Sequence, residues 1–142
     1  MTAEQNCARY VELFEQLAPE RLEELAPLLT EDVRFCDPFN DVRGAAAFRR
    51  VLEDMFERTE SPRFEVLHWT VSGHCGFIRW RFSARVPLLG PWCVEGVSTL
   101  AFAEDGRIAE HLDFWDAGCA YERIPVLGIA LRWVRRRLAC RI

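Results

Sequence analysis

The sequence predicts an α+β fold in which helices come first, an antiparallel sheet follows and a last helix ends the chain. Three observations predict it: helical spacing of apolar residues in the first third, alternation of apolar and polar residues in the second half, and two glycine-containing turns between strands. The 142 residues are 50% apolar and 28% charged, which suits a single domain with one core. This composition excludes disordered and collagen-like proteins.

Apolar residues in steps of three and four mark the helices of the first third. The first helix carries them at Cys7, Tyr10, Val11, Phe14 and Leu17. A second short helix opens at Pro19, and a third runs from about Ala45 to Arg58. Between these two helices, Val33–Cys36 is a short strand that ends in the turn-rich segment Asp37–Asp41.

Four strands are predicted over Phe64–Ser72, Phe77–Val86, Trp92–Phe102 and Arg107–Asp116. The first pair is joined by Gly73-His74-Cys75-Gly76 and the second by Glu104-Asp105-Gly106, and both segments are typical of hairpin turns. Alternation in the second strand places Ile78, Trp80, Phe82 and Ala84 on one face. We expect a domain core over about residues 5–116 and a C-terminal helical segment over about 121–138, in which the helix begins at Pro125.

Charge and cysteine content limit the partners and the compartment. A net charge of −4 argues against a nucleic-acid-binding protein. The six cysteines form no CxxC motif and no metal-ligand spacing, and the N-terminus lacks the basic and apolar pattern of an export signal. We therefore expect reduced cysteines, a cytoplasmic protein and no metal site. The longest apolar stretch, Ile124–Leu131, is too short to span a bilayer.

The order of helix, helix, strand, Asp-Pro loop, helix and four long strands resembles the nuclear transport factor 2-like superfamily. This superfamily includes ketosteroid isomerases, SnoaL-like polyketide cyclases and limonene-epoxide hydrolases. The resemblance covers roughly residues 5–116. It implies a cone in which a curved antiparallel sheet packs on the N-terminal helices around a deep apolar pocket. It also implies a homodimer formed through the outer sheet face.

Three segments carry the resemblance to individual members. Arg9-Tyr10-Val11 is similar to the stretch that holds the oxyanion tyrosine of ketosteroid isomerase, and Asp37-Pro38 is similar to the segment that holds its general base. Ser98 stands where that enzyme has a protonated Asp. The segment from His111 to Asp116 resembles the last strand of limonene-epoxide hydrolases, where an Asp faces the pocket. The Arg-x-Asp that these hydrolases carry on an earlier strand is absent from this chain.

Asp37 is the first candidate for a general base, because it lies between apolar residues that would raise the basicity of a carboxylate. Alternatively, Asp37 forms a turn and caps the backbone of Asn40 or Asp41. Tyr10 is either an oxyanion donor or a core tyrosine bonded to a backbone carbonyl. His111 and Asp113 point the same way on one strand, so they form an acid–base pair or satisfy each other's hydrogen bonds.

The predicted catalytic residues are Asp37, Tyr10, His111 and Asp113. The predicted ligand-pocket residues are Ser98, Trp80, Leu100, Trp115 and Phe39. These residues suggest an enzyme that transfers a proton on an apolar carbonyl compound of steroid or polyketide type, as an isomerase or cyclase without a cofactor. The alternative is a non-catalytic module that binds an apolar small molecule.

The outer sheet face and the C-terminal helix are the candidate contact surfaces. Glu95 lies on the outer face opposite Arg79 and Arg81, an arrangement that predicts cross-strand ion pairs and a homodimer with complementary charges. The C-terminal helix has an apolar stripe at Leu127, Leu131, Val134 and Leu138, beside a cluster of arginines. We expect this stripe to pack on the cone or on the dimer partner, and attachment to an anionic membrane surface is the less favoured alternative.

Overall fold

The computed structural model describes all 142 residues and confirms the α+β fold. In chain order the elements are α1 (Ala3–Glu15), a 3-10 helix (Pro19–Leu28), β1 (Leu29–Cys36), β2 (Asp41–Arg43), α2 (Ala45–Arg58), β3 (Glu60–Ser72), β4 (Cys75–Val86), β5 (Gly90–Phe102), β6 (Ile108–Phe114), α3 (Gly118–Tyr121) and α4 (Leu127–Leu138). None of these helices is both long and apolar enough to cross a membrane.

The six strands form one sheet in the order β2-β1-β6-β5-β4-β3. Strands β3 to β6 form the predicted antiparallel meander. Strand β1 differs from the prediction of a purely antiparallel sheet, because it pairs with β6 in parallel, with Phe35 opposite His111 and Cys36 opposite Leu112. Strand β2 was not predicted, because its three residues are too few to show alternation.

The predicted helices form with small changes. Helix α1 begins after a capping box in which Thr2 accepts from the backbone of Gln5 and the side chain of Gln5 accepts from the backbone of Thr2. The second helix is a 3-10 helix, and Pro27 inside it has no N–H for an α-helical hydrogen bond. The C-terminal segment divides into α3 and α4, and Pro125 lies in the connection rather than at the first position of a helix.

Alternation in β4 separates the core from the outer surface as predicted. Ile78, Trp80, Phe82 and Ala84 are buried on the concave face, which packs on the N-terminal helices. The outer face carries the predicted cross-strand ion pairs. Their distances are 3.1 Å for Arg79–Glu95, 2.8 Å for Arg81–Glu95 and 3.2 Å for Arg81–Glu65. The two arginines, Arg81 more than Arg79, hold the pKa of Glu95 below its usual value.

Helix α4 keeps its apolar stripe exposed. Two of its arginines contact the preceding segment: Arg135 pairs with Asp116 at 3.0 Å, and Arg132 donates to the carbonyl of Glu122 at 2.8 Å. Leu127 and Val134 of the stripe are 45% and 44% exposed. In the single chain the stripe therefore does not pack on the cone. Packing of the stripe on a dimer partner, or its attachment to a membrane surface, stays a prediction.

Candidate active site

An apolar cavity of about 320 Å³ lies between the concave sheet face and α2. Eight aromatic side chains line it: Phe14, Phe35, Phe39, Phe64, Trp80, Phe82, Trp92 and Trp115. Helix α2 adds Val51, Leu52 and Met55, and α3 adds Ala120. A cavity of this size and lining suits a small apolar ligand.

Five side chains form one hydrogen-bonded chain at the wall of this cavity. The indole N–H of Trp80 donates to Ser98 Oγ at 2.8 Å, and Ser98 Oγ donates to Asp113 Oδ1 at 2.5 Å. On the other side of Asp113, the same Oδ1 lies 2.6 Å from His111 Nε2. His111 Nδ1 lies 2.7 Å from the hydroxyl of Tyr10. The structure thus brings four predicted site residues, Tyr10, Ser98, His111 and Asp113, into direct contact.

The hydrogen-bond pattern assigns the protons of this chain. Burial, together with the charge of Asp113, raises the pKa of Tyr10 well above its usual value, so the Tyr10 hydroxyl stays protonated. Since Tyr10 is fully buried and His111 Nδ1 is its hydrogen-bond partner, the hydroxyl donates to Nδ1. His111 is then a neutral imidazole whose Nε2–H donates to the carboxylate of Asp113.

Trp80 is held in place by the strand beside it. Its indole ring lies against Gly96 of β5, where an added Cβ would be only 2.5 Å from the ring atoms. Gly96 therefore leaves the space that Trp80 needs in order to reach Ser98.

Asp113 connects the hydrogen-bonded chain to the cavity. Together with Trp80 it lines the 320 Å³ space, whereas Tyr10, Ser98 and His111 line only a neighbouring space of about 20 Å³. The side chain of Asp113 is 16% exposed. Its Oδ1 takes both hydrogen bonds and its Oδ2 takes none from the protein. Oδ2 is therefore the oxygen of this chain that is available to a ligand.

Asp37 lies at the same cavity wall. Its Oδ1 accepts the backbone N–H groups of Phe39 and Asn40, both at 2.7 Å, and the side-chain amide of Asn40 at 3.1 Å. This is the turn-capping arrangement that the sequence left open as an alternative. Asp37 nevertheless lines the cavity. Strands β1 and β6 are parallel, and Cys36 lies opposite Leu112. The next residue along each segment, Asp37 after β1 and Asp113 within β6, therefore comes at the same level of the sheet.

A family model described as a SnoaL-like domain matches residues 9–111 of the chain. The chain belongs to the SnoaL-like domain family. The match ends at His111, so Asp113 and the two C-terminal helices of this SnoaL-like domain lie outside it. No curated protein matches the chain.

Solved structures share the fold of this SnoaL-like domain. An NTF2-like protein of unknown function from Burkholderia pseudomallei has a TM-score of 0.74 at 15% identity, over 87% of this chain and 98% of its own. A candidate SnoaL-like polyketide cyclase from Shewanella denitrificans has a TM-score of 0.70 at 17% identity, over 85% and 95%. A protein of ketosteroid isomerase-like fold from Catenulispora acidiphila, in complex with trimethylamine, has a TM-score of 0.71 at 12% identity, over 87% and 93%. These likenesses confirm the NTF2-like fold.

Four predicted site residues of the SnoaL-like domain, Tyr10, Ser98, His111 and Leu100, do not line the 320 Å³ cavity itself. Leu100 is 2% exposed and does not line the cavity. It lies in the core with Phe102, and both side chains pack beside Gly76 of β4. The Tyr10 hydroxyl is occupied by His111, so Tyr10 lies behind His111 rather than against a ligand. Trp80, Trp115 and Phe39 do line the cavity of this domain.

Sequence reasoning missed several lining residues of the SnoaL-like domain. Trp92 lines the cavity, and the register that pairs it with Ala84 would have placed it on the concave face. Asp54 and Arg58 of α2 also line the cavity, where they pair with each other at 3.0 Å. No group of three metal-ligating side chains forms at the site or elsewhere in the chain.

Proposed function

We propose that this SnoaL-like domain is an enzyme of the isomerase or cyclase type, which transfers a proton on an apolar carbonyl compound without a cofactor. Asp113 is the general base. The observation that carries the proposal is the position of Asp113 in the cavity wall, with Oδ1 bound by His111 and Ser98 and Oδ2 unoccupied by the protein. A carboxylate fixed in this way can take a proton from a carbon acid without first reorganising.

The reaction begins with a ligand whose carbonyl lies in the aromatic cavity and whose α-carbon lies against Asp113. The C–H bond breaks as Asp113 Oδ2 takes the proton, and the electron pair passes to the carbonyl oxygen to give an enolate. If the ketone is β,γ-unsaturated, the enolate is conjugated to the C=C bond, and return of the proton from Asp113 to the γ-carbon gives an isomerase. Attack of the enolate carbon on a second carbonyl, whose oxygen then takes the proton from Asp113, gives a cyclase.

His111 and Tyr10 position the base. His111 Nε2–H supports the negative charge on Asp113, and the Tyr10 hydroxyl fixes the imidazole in the tautomer that can do so. The role of base moves here from Asp37, the first candidate of the sequence, to Asp113. Asp37 uses Oδ1 to hold its own turn, and its Oδ2 accepts from the side-chain amide of Asn40 at 3.2 Å, so neither of its oxygens is left free of protein contacts as Oδ2 of Asp113 is.

Deuterium exchange tests the proposed function. The protein is incubated in deuterated water with a panel of apolar ketones, and uptake at the α-carbon is followed by NMR. We expect a bound ketone to exchange faster than in buffer. As a control, Val51→Trp fills the cavity from α2 and is expected to abolish both binding and exchange. Binding of ketones without exchange of any of them contradicts the proposal and supports the non-catalytic binding module instead.

We also propose that the outer sheet face joins two copies of the chain. Beside the ion pairs of Glu95, this face exposes three apolar side chains, Phe77, Val97 and Phe114, at 45%, 37% and 58%. Opposite charges around an apolar centre allow a face to bind its own copy about a two-fold axis.

Light scattering at high micromolar protein is therefore expected to give a dimer mass. Val97→Arg is expected to give monomers, because it buries a new charge at the centre of the contact. Leu138→Arg on the exposed stripe of α4 is the control and is expected to leave the dimer intact. A wild-type monomer mass, or a dimer that only Leu138→Arg dissociates, contradicts this interface.

A further inference from the structure

We propose that the cavity selects an organic cation, that is, a ligand whose apolar body carries an ammonium or a comparable positive group. The inference rests on the proposed function in one respect only: it assumes that the same cavity receives the substrate. The charge preference itself is a property of binding and is measured without catalysis.

The first support is the charge of the cavity wall. Asp37 accepts hydrogen bonds only from N–H groups, and Asp113 accepts them only from Ser98 and His111. An ionised carboxylate has only acceptor oxygens, and the contacts of both groups fit that form. The cavity wall therefore contains two carboxylates, Asp113 in β6 and Asp37 in the turn after β1, with no cationic side chain bound to either.

The cation that lines the cavity is already paired. Arg58 is 3.0 Å from Asp54 and its side chain is 78% exposed, so it lies at the solvent side. The charges of Arg58 and Asp54 offset each other, and the two carboxylates of Asp37 and Asp113 are left uncompensated. An anionic ligand would meet two like charges in this wall, whereas a monocation would offset one of them.

The second support is the arrangement of the aromatic rings. The ring of Trp115 packs edge-to-face with two other rings. Its centroid is 5.4 Å from that of Trp92, with an angle of 63° between the ring planes, and 5.4 Å from that of Phe39, with an angle of 71°. Phe39 also belongs to the turn that Asp37 caps. All three rings line the cavity, and the electron-rich faces of aromatic rings attract a positive group. The rings and the carboxylate of Asp37 therefore favour the same charge.

The two supports together describe a class of substrate. A carbonyl compound with its α-carbon against Asp113 would direct its positive group to the Asp37 end, among Phe39, Trp92 and Trp115. An apolar amino ketone, protonated at its nitrogen, has both groups. In this arrangement Asp37 sets the charge preference and Asp113 moves the proton.

Calorimetric titration with a pair of isosteres tests the inference. Phenyltrimethylammonium carries the positive charge, and tert-butylbenzene has the same shape with carbon in place of nitrogen. We expect the cation to bind at least about tenfold more tightly than the neutral isostere. Asp37→Asn is expected to lower the affinity for the cation by roughly fivefold without changing that for the neutral compound. The control is Asp41→Asn, which removes an equal charge four residues away, where it pairs with Arg34 outside the cavity.

Several results would overturn the inference: equal affinities for the two isosteres, no binding of the cation at millimolar concentration, or the same loss in Asp37→Asn and Asp41→Asn. The outcome is separable from that of the proposed function. A preference for the cation without deuterium exchange of any bound ketone keeps the inference and removes the catalytic role. Exchange of neutral ketones without a preference for the cation keeps the catalytic role and removes the inference.

Discussion

Asp113→Asn is expected to slow deuterium exchange of a bound ketone by about 10²–10⁴-fold, the usual contribution of a general base. The amide keeps the shape of the carboxylate and still accepts from His111 and Ser98 through its oxygen, but it cannot take a proton. Affinity for a neutral ketone should therefore change little. Exchange rates from NMR and affinities from calorimetry measure the two effects on the same protein.

Asp37→Asn is the matched comparison, because it makes the same chemical change at the other carboxylate of the cavity. We expect it to slow exchange of a neutral ketone by less than about tenfold, since the role of Asp37 is to hold its turn and to attract positive charge. If Asp37→Asn abolishes exchange and Asp113→Asn does not, the base is Asp37, as the sequence first indicated, and the role proposed for Asp113 is wrong.

Removal of the buried hydrogen bond between Tyr10 and His111 is expected to have the largest effect on stability. Tyr10→Phe leaves His111 Nδ1 without a donor in a buried site, at a cost of about 1–3 kcal/mol of unfolding free energy. His111→Phe leaves the Tyr10 hydroxyl unpaired at a similar cost of about 1–3 kcal/mol. The replacement ring fits among Phe14, Phe35 and Phe48, whose centroids lie 5.1–6.0 Å from that of His111.

The double variant should cost less than the sum of the two single variants, because each substitution removes the group that the other leaves unpaired. Urea unfolding with an unchanged denaturant slope measures this coupling. If the double variant loses as much unfolding free energy as the two single variants together, the hydrogen bond between Tyr10 and His111 is contradicted.

The same bond predicts a dependence of stability on pH. Because folding raises the pKa of Tyr10, the unfolded chain loses the tyrosine proton first. The stabilisation is complete below the usual tyrosine pKa of about 10, and it falls as the pH rises above that value. Tyr10→Phe should reduce this fall.

The sequence predicted the part of the site that depends on local pattern. Alternation along β6 and the turn before it placed His111 and Asp113 on the concave face. The register counted back from Gly106 placed Ser98 at the position of the protonated Asp of ketosteroid isomerase, on the face of His111 and Asp113, and in the structure Ser98 lies opposite Asp113. These relations follow from the period of two in a strand and from the length of one hairpin, so a short stretch of sequence contains them.

The remaining features depend on contacts that no local pattern encodes. The parallel pairing of β1 with β6 joins distant segments of the chain, and it brings Asp37 and Asp113 to the wall of the same cavity. The bond from Tyr10 to His111 has the same origin. The two interpretations of Asp37 could not be separated, because the same Asp-Pro-Phe-Asn segment caps a turn and lines the cavity.

These end-to-end contacts have a consequence for the order in which the molecule is made. Tyr10 and His111 are 101 residues apart, and Asn6, which donates to the carbonyl of Gly106, is 100 residues from its partner. Contacts between such distant positions form late, because a long loop must close before they gain any energy. On the ribosome, the hydroxyl of Tyr10 and the edge of β1 that pairs with β6 therefore stay without their partners until β6 has been synthesised. The hydrogen-bonded chain that positions Asp113 is therefore completed only when β6 joins the sheet.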